Sequence, residues 1–327
     1  MSRRAPSPLA GRRPLRLTPP IRPETDLVLR LRDGRHLGVA EFGGRSPLPV
    51  VYCHGFLGSR LEPGAAKAHG TNIVAFDRPG YGRTDPQRLP SLRGWGADVG
   101  EALVQLGVAE CMVVGVSTGA PYALAVAATL GPRARRVILA GGIAGPEVLE
   151  TAGGTALALS MMGRGDSRTG RLLHRLLKLA FATRLDRRLL ALVVASERRA
   201  LERQGLALDD LHARLLQSFR AGNRRGLGGA LADARLVTQP WDFSVGEIVS
   251  DVEVLHGADD PVVPPTHAHW YAAHLPCARF ELVPGELHLS LCFRSAGRIQ
   301  EAVRELAPAE RVEGFRAGAW LGEGRAL

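Results

Sequence analysis

The segment MVVGVSTGAPYALAVAA (112–128) constrains the fold more than any other part of the chain. Its first residues are apolar and mostly β-branched, as a buried strand requires, and its alanine-rich second half favours helix. The change falls at Ser117, with Gly115 and Gly119 two positions away on either side. So sharp a turn lifts one side chain above the sheet edge and strains its backbone, so the neighbours must be small where they meet the adjoining strand and helix. It also leaves the unpaired N–H groups of the new helix beneath the raised hydroxyl, where they favour developing negative charge.

The surrounding pattern extends this unit. DLVLRLR (26–32) and HLGVAEF (36–42) flank Asp33-Gly34 and read as a β-hairpin. Further strand-like runs occupy 48–55, 71–77, 111–117 and 135–142, with a short helical stretch after the first of them and helical spacing at 91–108 and 121–130. Strands alternating with helices imply parallel crossovers and a doubly wound α/β sheet covered on both faces. From about 143 to 243 the alternation stops, and segments such as RLLHRLLKLAFATRL (171–185) and LDDLHARLLQSF (208–219) carry helix spacing alone. It resumes with VEVLHG (252–257), a helix at 267–275, ARFELVPG (278–285) and a final helix near 295–305. The expected organisation is an α/β core of residues 24–142 and 244–327, interrupted by a helical insertion at 143–243. Residues 1–23, rich in Pro and Arg and without periodicity, are expected to form a disordered basic tail.

A net charge of +10 raises the question of a polyanionic partner, and its distribution answers it. Residues 1–23 hold six arginines and no acid, residues 164–236 hold sixteen basic side chains against seven acidic ones, and the remainder is mildly acidic. The excess therefore belongs to the tail and the insertion, where solvated helix faces explain it. Only 5% of residues are aromatic and no nucleic-acid motif is present, so no nucleic-acid partner is expected. No apolar run reaches the roughly 18 residues of a membrane span, and the N-terminal arginines precede no apolar core of a signal peptide. A cytoplasmic protein without a membrane span is expected. Cys53, Cys111, Cys277 and Cys292 lie far apart with no CxxC pair and are expected as buried thiols. Oligomeric state leaves no mark on the sequence.

A serine hydroxyl is a poor nucleophile at neutral pH and needs a base, a carboxylate to orient that base, and donors for an oxyanion. For the second backbone donor VVYCHGFLGSR (50–60) supplies a strand that ends at His54-Gly55, and the N–H groups of Phe56 and Thr118 are assigned to the oxyanion hole. The acid is sought just past a later strand, where Asp259 and Asp260 stand in VEVLHGADDPVVP; Asp260 is preferred, with Asp259 as the substitute. The base is sought in a loop after the last strand, where His288 follows the turn Pro284-Gly285. Of the other histidines, His267, His269 and His274 fall in a helical stretch with no carboxylate completing a metal-ligand spacing, and His256, His174 and His212 lack His288's placement. No metal and no cofactor are called for.

The motifs HGFLGSR (54–60), DRPGYGRTD (77–85), GVSTG (115–119), HGADDPVVP (256–264) and PGELHLSL (284–291) together resemble the α/β-hydrolase fold superfamily, over residues 26–305. The resemblance implies a mostly parallel, eight-stranded sheet with helices on both faces, and makes the insertion a helical cap over the site. Similar proteins often carry GVSGG, and Thr118 adds a hydroxyl beside the nucleophile while keeping the N–H. The loop 77–85 is a family marker read as structural, a tight turn with Gly80 and Gly82 that shapes the pocket. Relatives that open epoxides or remove halide use aspartate where Ser117 stands, so serine points to acyl transfer on a small, largely apolar ester. The same residues also suit a C–C bond hydrolase, an acyltransferase, or a ligand-binding receptor with negligible turnover.

Overall fold

The computed structural model describes residues 18–43, 48–65, 71–149, 163, 168–183 and 185–306. Eight strands, β1 (Thr25–Arg30), β2 (His36–Phe42), β3 (Val50–Cys53), β4 (Ile73–Phe76), β5 (Cys111–Val116), β6 (Ala134–Ala140), β7 (Asp251–Gly257) and β8 (Ala278–Val283), form one sheet. Their order is β1-β2-β4-β3-β5-β6-β7-β8. β2 runs antiparallel to both of its neighbours, and every other pairing is parallel.

The hairpin between β1 and β2 closes as the Asp33-Gly34 signal requires, with Gly34 at φ 88° and its N–H donating to Leu31 O at 2.9 Å. All six residues of β5 are buried, because helices cover both faces of the sheet. Its side chains alternate between two apolar clusters. Val113 packs on one side with Trp95, Leu103, Tyr122 and Val126; Met112 and Val114 pack on the other with Tyr52, Leu215, Ile299 and Val303. The first side is covered by α1 (Leu92–Gln105), capped by Ser91 Oγ accepting from Gly94 N at 2.9 Å, and by α2 (Gly119–Leu130). The helix after β7 is α9 (Thr266–His274), and α10 (His288–Leu306) closes the described chain.

Between β6 and β7 the described residues contain helices and no strand: α3 (Pro146–Leu149), α4 (Arg168–Ala182), α5 (Asp186–Ser196), α6 (Arg198–Arg203), α7 (Leu208–Gly222) and α8 (Gly228–Val237). Several arginines here pair with acids, Arg198 with Glu202, Arg214 with Asp210, Arg220 with Asp186 and Arg225 with Asp85. No helix among the described residues is long and apolar enough to cross a membrane.

The strand order positions the site. After β3 the chain lays β4 on one side, then returns to lay β5 on the other, so the loops leaving β3 and β5 diverge from adjacent strand ends. A crevice opens at such a switch point, beyond the carboxyl ends of the strands. Residues 54–60 and Ser117 follow these two adjacent strand ends.

Three expectations need correction. The final helix begins at His288 and not near Ser295, so the histidine heads a helix and does not sit within a loop. Of the expected tail, residues 1–17 lie outside the described residues. Within residues 18–23, Ile21 is buried and its N–H donates to Gln217 Oε1 of the insertion at 2.8 Å. Among the thiols Cys53 and Cys111 are buried, but Cys277 is exposed and Cys292 lies between.

The elbow at Ser117 depends on contact across the sheet. A Cβ at Gly119 would lie 2.1 Å from Cys53 O and 2.7 Å from His54 O; one at Gly115 would lie 2.8 Å from the Ala120 Cα. Helix and strand can approach this closely only without side chains. Gly119→Ala is expected to lower unfolding stability by about 1–3 kcal/mol, the usual cost of overpacking, as measured by urea denaturation.

Candidate active site

Ser117 has φ 54°, a left-handed conformation that costs a non-glycine residue about 1–3 kcal/mol and persists only where surroundings enforce it. They do so through three backbone bonds: Ser117 N donates to Ala140 O at 3.0 Å, while Ser117 O accepts from Ala120 N at 3.1 Å and from Ile143 N at 3.2 Å. The Oγ so raised lies 3.0 Å from His288 Nε2. On the far side of the ring, Nδ1 lies 2.7 Å from Asp260 Oδ2. A carboxylate can only accept, so Nδ1 carries the proton and Nε2 is left to accept from the serine hydroxyl.

Asp260 is 4% exposed, and its other oxygen accepts from the N–H groups of Val262 at 2.8 Å and Val263 at 2.9 Å. Burial works against its charge, but His288 and the Val263 N–H outweigh burial and hold the carboxyl below its usual range. Asp259 is exposed and turned to Gly285, whose N–H it accepts at 3.2 Å. Asp260 is therefore the carboxylate that meets the imidazole.

For His288 burial again opposes the charged form, yet the pKa is raised, because Asp260 and then the carboxylates of Glu197 and Glu62 favour the imidazolium. Neither glutamate was singled out from the sequence. Glu197 is 2% exposed and accepts from Leu289 N and Ser290 N, each at 2.9 Å. It caps the helix that His288 begins, from a position ninety-two residues earlier than Leu289. Burial pushes its own carboxyl up, against the pull of those two N–H groups. Glu62 accepts from Tyr52 Oη at 2.9 Å and from Gly55 N at 3.0 Å, and burial raises its pKa as well.

The N–H groups of Phe56 and Thr118, assigned to the oxyanion hole, find no acceptor among the described residues. They belong to the two loops that flank the serine; a Cβ at Gly55 would come within 3.6 Å of the Ser117 Cβ. The marker loop 77–85 contributes more than a turn. Arg78, 0% exposed, reaches His54, Gly55, Thr118 and Asp233. Asp233 also accepts from the hydroxyls of Tyr81 and Tyr122. The available signal for Asp233 was its register: in α8 it stands four residues from both Gly229 and Val237 on the buried face, a place where a lone charge needs a partner.

Four other histidines are otherwise engaged. His267 Nδ1 accepts from Ala144 N at 2.9 Å, His256 Nε2 lies 2.7 Å from Val263 O, and His269 and His274 bond their own helix. Among the described residues no group of three or more His, Cys, Asp or Glu is arranged to hold a metal ion.

The fold agrees with that of known proteins. The family model for the alpha/beta hydrolase fold matches residues 49–294, and the chain belongs to that family. Among curated proteins it is similar to a proline iminopeptidase of Xylella fastidiosa (strain 9a5c), with 31% identity over 131 residues, 38% of this chain and 42% of that one. The match thus spans less than half of that relative's length. Among solved structures it is similar to an esterase of Rhodococcus sp. ECU1013, with a TM-score of 0.59 and 19% identity over 86% of this chain and 98% of that one. An enol-lactonase of Burkholderia xenovorans LB400 aligns with a TM-score of 0.55 and 16% identity over 85% of this chain and 97% of that one. At such identities the likeness to these two structures is one of fold.

Because the Glu197 charge contributes to the raised pKa of His288, Glu197→Gln is expected to lower the pH at which the imidazole titrates, as followed by NMR of the ring. The amide oxygen can still accept from one of the two helix N–H groups. Glu197→Ala removes the cap as well and is expected to cost about 1 kcal/mol of stability, measured by denaturant unfolding.

Proposed function

We propose that the protein is a serine hydrolase that cleaves a small, largely apolar carboxylic ester through an acyl-enzyme. The observation that carries this reading is the hydrogen-bonded chain from Ser117 Oγ to His288 Nε2 at 3.0 Å and from His288 Nδ1 to Asp260 Oδ2 at 2.7 Å, built on a strained serine. Gly55, which lies against Ser117, and the next two residues of the loop after β3, Phe56 and Leu57, carry no charge and suit an apolar acyl group.

In this reaction Ser117 Oγ attacks the ester carbonyl carbon as His288 Nε2 takes the hydroxyl proton. Asp260 keeps the second ring proton on Nδ1 and stabilises the imidazolium that forms. The carbonyl oxygen, now negative, is held by the N–H groups of Phe56 and Thr118, with the start of α2 behind it. The tetrahedral adduct collapses as His288 returns the proton to the leaving alcohol oxygen. Water, activated by the same imidazole, then attacks the acyl-enzyme and releases the acid. No cofactor or metal enters any step.

Ser117→Ala is expected to abolish turnover of short-chain nitrophenyl esters and labelling by a fluorophosphonate, with the fold intact by circular dichroism. Retained hydrolysis would sink the assignment. Hydrolysis of a prolyl arylamide without any ester turnover would move the substrate class toward that of the curated relative. Labelling of Ser117 without hydrolysis of either substrate would favour the C–C hydrolase or acyltransferase reading, and tight ligand binding without labelling the receptor reading.

Only neutral imidazole can accept the serine proton, and the folded-state pKa of His288 is raised. Activity is therefore expected to climb with pH through an inflection above about 6.5, the ordinary histidine value. The check is a kcat/KM profile across that range, and an inflection well below the ordinary value would contradict the assignment.

A further inference from the structure

The loop that would supply Phe56 N–H is held at successive peptide groups. In the His54–Gly55 peptide the carbonyl oxygen accepts from Arg78 Nη1, and the opposite N–H donates to Glu62 at 3.0 Å. In the Gly55–Phe56 peptide the carbonyl oxygen accepts from His54 Nδ1 at 2.9 Å, from Gly58 N at 3.1 Å and, as the one charged donor, from Arg78 Nη2 at 3.2 Å. The N–H and C=O of a planar trans peptide point in opposite directions, so drawing the Gly55 carbonyl down onto Arg78 turns the Phe56 N–H the other way. Of the two N–H groups in this pair of peptides, that of Phe56 is the one without an acceptor among the described residues.

We infer that Arg78, held in place by Asp233 of the inserted helix α8, is a positioning residue for the oxyanion hole: it sets the direction of the Gly55–Phe56 peptide and strengthens its N–H as a donor. The inference rests on the serine-hydrolase reading and extends it to a residue that contacts neither serine nor imidazole. A peptide whose carbonyl is bonded by a cation is polarised, and its N–H donates more strongly. The His54 ring assists. Its Nε2 accepts from Arg78 N at 3.3 Å, which leaves the proton on Nδ1 for Gly55 O; burial, and then Arg78, push its pKa well below the usual value, so it stays neutral.

The guanidinium's orientation argues against a purely structural ion pair. Arg78 leaves its Nε–H without a partner while Nη1 and Nη2 reach two consecutive carbonyls, Asp233 and, at 3.4 Å, Thr118 Oγ1. The fork is turned toward the loop at the expense of one buried donor. Asp233 supplies the charge that makes this burial tolerable, and the faces of Tyr122 and Tyr81, with centroids 4.6 and 5.3 Å from the guanidinium carbon, add to it. The insertion also holds the loop from another side: Asn223 Nδ2 donates to the carbonyl of Leu57, itself at φ 62°, at 2.8 Å, and Ser218 and Ser59 share a 2.9 Å hydrogen bond.

The test compares wild type with two variants, using a nitrophenyl ester and a trifluoromethyl ketone whose bound hemiketal oxygen occupies the oxyanion position. Arg78→Lys keeps the charge but not the fork. Arg78→Met combined with Asp233→Asn removes both charges together, while the new amide can accept from one tyrosine hydroxyl through its oxygen and donate to the other through its NH2, so this variant keeps the test open if the first fails to fold. Removing an oxyanion donor outright costs about 10²–10³ in kcat, and misdirecting one is expected to cost about 10–100-fold. KM should stay within about threefold, and ketone affinity should fall in step with kcat/KM, because both report the oxyanion. A purely structural role would move the melting temperature without that parallel.

A folded double variant with wild-type kcat and ketone affinity would overturn the inference and leave the hydrolase reading standing. Wild type inert toward both ester and fluorophosphonate would instead remove the hydrolase reading, and this inference with it.

Discussion

The close approach of α2 to the end of β3 is the constraint on which the rest of the site depends. Gly119 lies so near the carbonyls of Cys53 and His54 that no side chain fits between them. That contact fixes where the helix can start, and with it the left-handed turn that raises Ser117. It also brings the loop leaving β3 to the side of the serine, so the proposed nucleophile and the proposed oxyanion donors are positioned by one contact. The strain at Ser117 is borne by β6, the segment that follows it and the start of α2, whose backbone bonds hold the turn.

Charge is then distributed around that turn at some distance from water. Asp260, Glu197 and Glu62 all favour the protonated form of His288, against a burial that disfavours it. On the opposite flank the buried Arg78 guanidinium meets Asp233, which accepts from the Tyr81 hydroxyl at the same oxygen and from the Tyr122 hydroxyl at the other. Breaking such a pair strands an uncompensated charge, so each partner is tied to the other's presence. Two of these groups, Glu197 and Asp233, come from the insertion. It therefore reaches the core at the helix that His288 begins and at the loop after β3.

Much of the fold was legible along the chain. Every strand was marked by a short apolar run bounded by turn residues, and the Asp33-Gly34 hairpin, the helix over 92–105 and the serine elbow each carried a local chemical signature. The candidate serine and histidine were legible because each stands beside a turn with a distinct residue pattern. The choice between Asp259 and Asp260 was not, since both follow the same strand end and only their orientation differs. The start of α10 was misplaced for a related reason: its cap is Glu197, which stands far upstream and leaves no mark near His288.

By itself, then, the sequence determined the kind and order of the elements, the elbow at Ser117 and the residue types for a nucleophile, an acid and a base. These are properties of neighbouring residues, written in periodicity, turn chemistry and the space a glycine leaves. Only the tertiary structure decided which carboxylate meets His288, where its helix begins, and that Arg78 and Asp233, separated by 155 positions, join beneath the loop after β3. Such choices depend on the burial of charge, which needs a partner within hydrogen-bond reach and is indifferent to how far along the chain that partner lies.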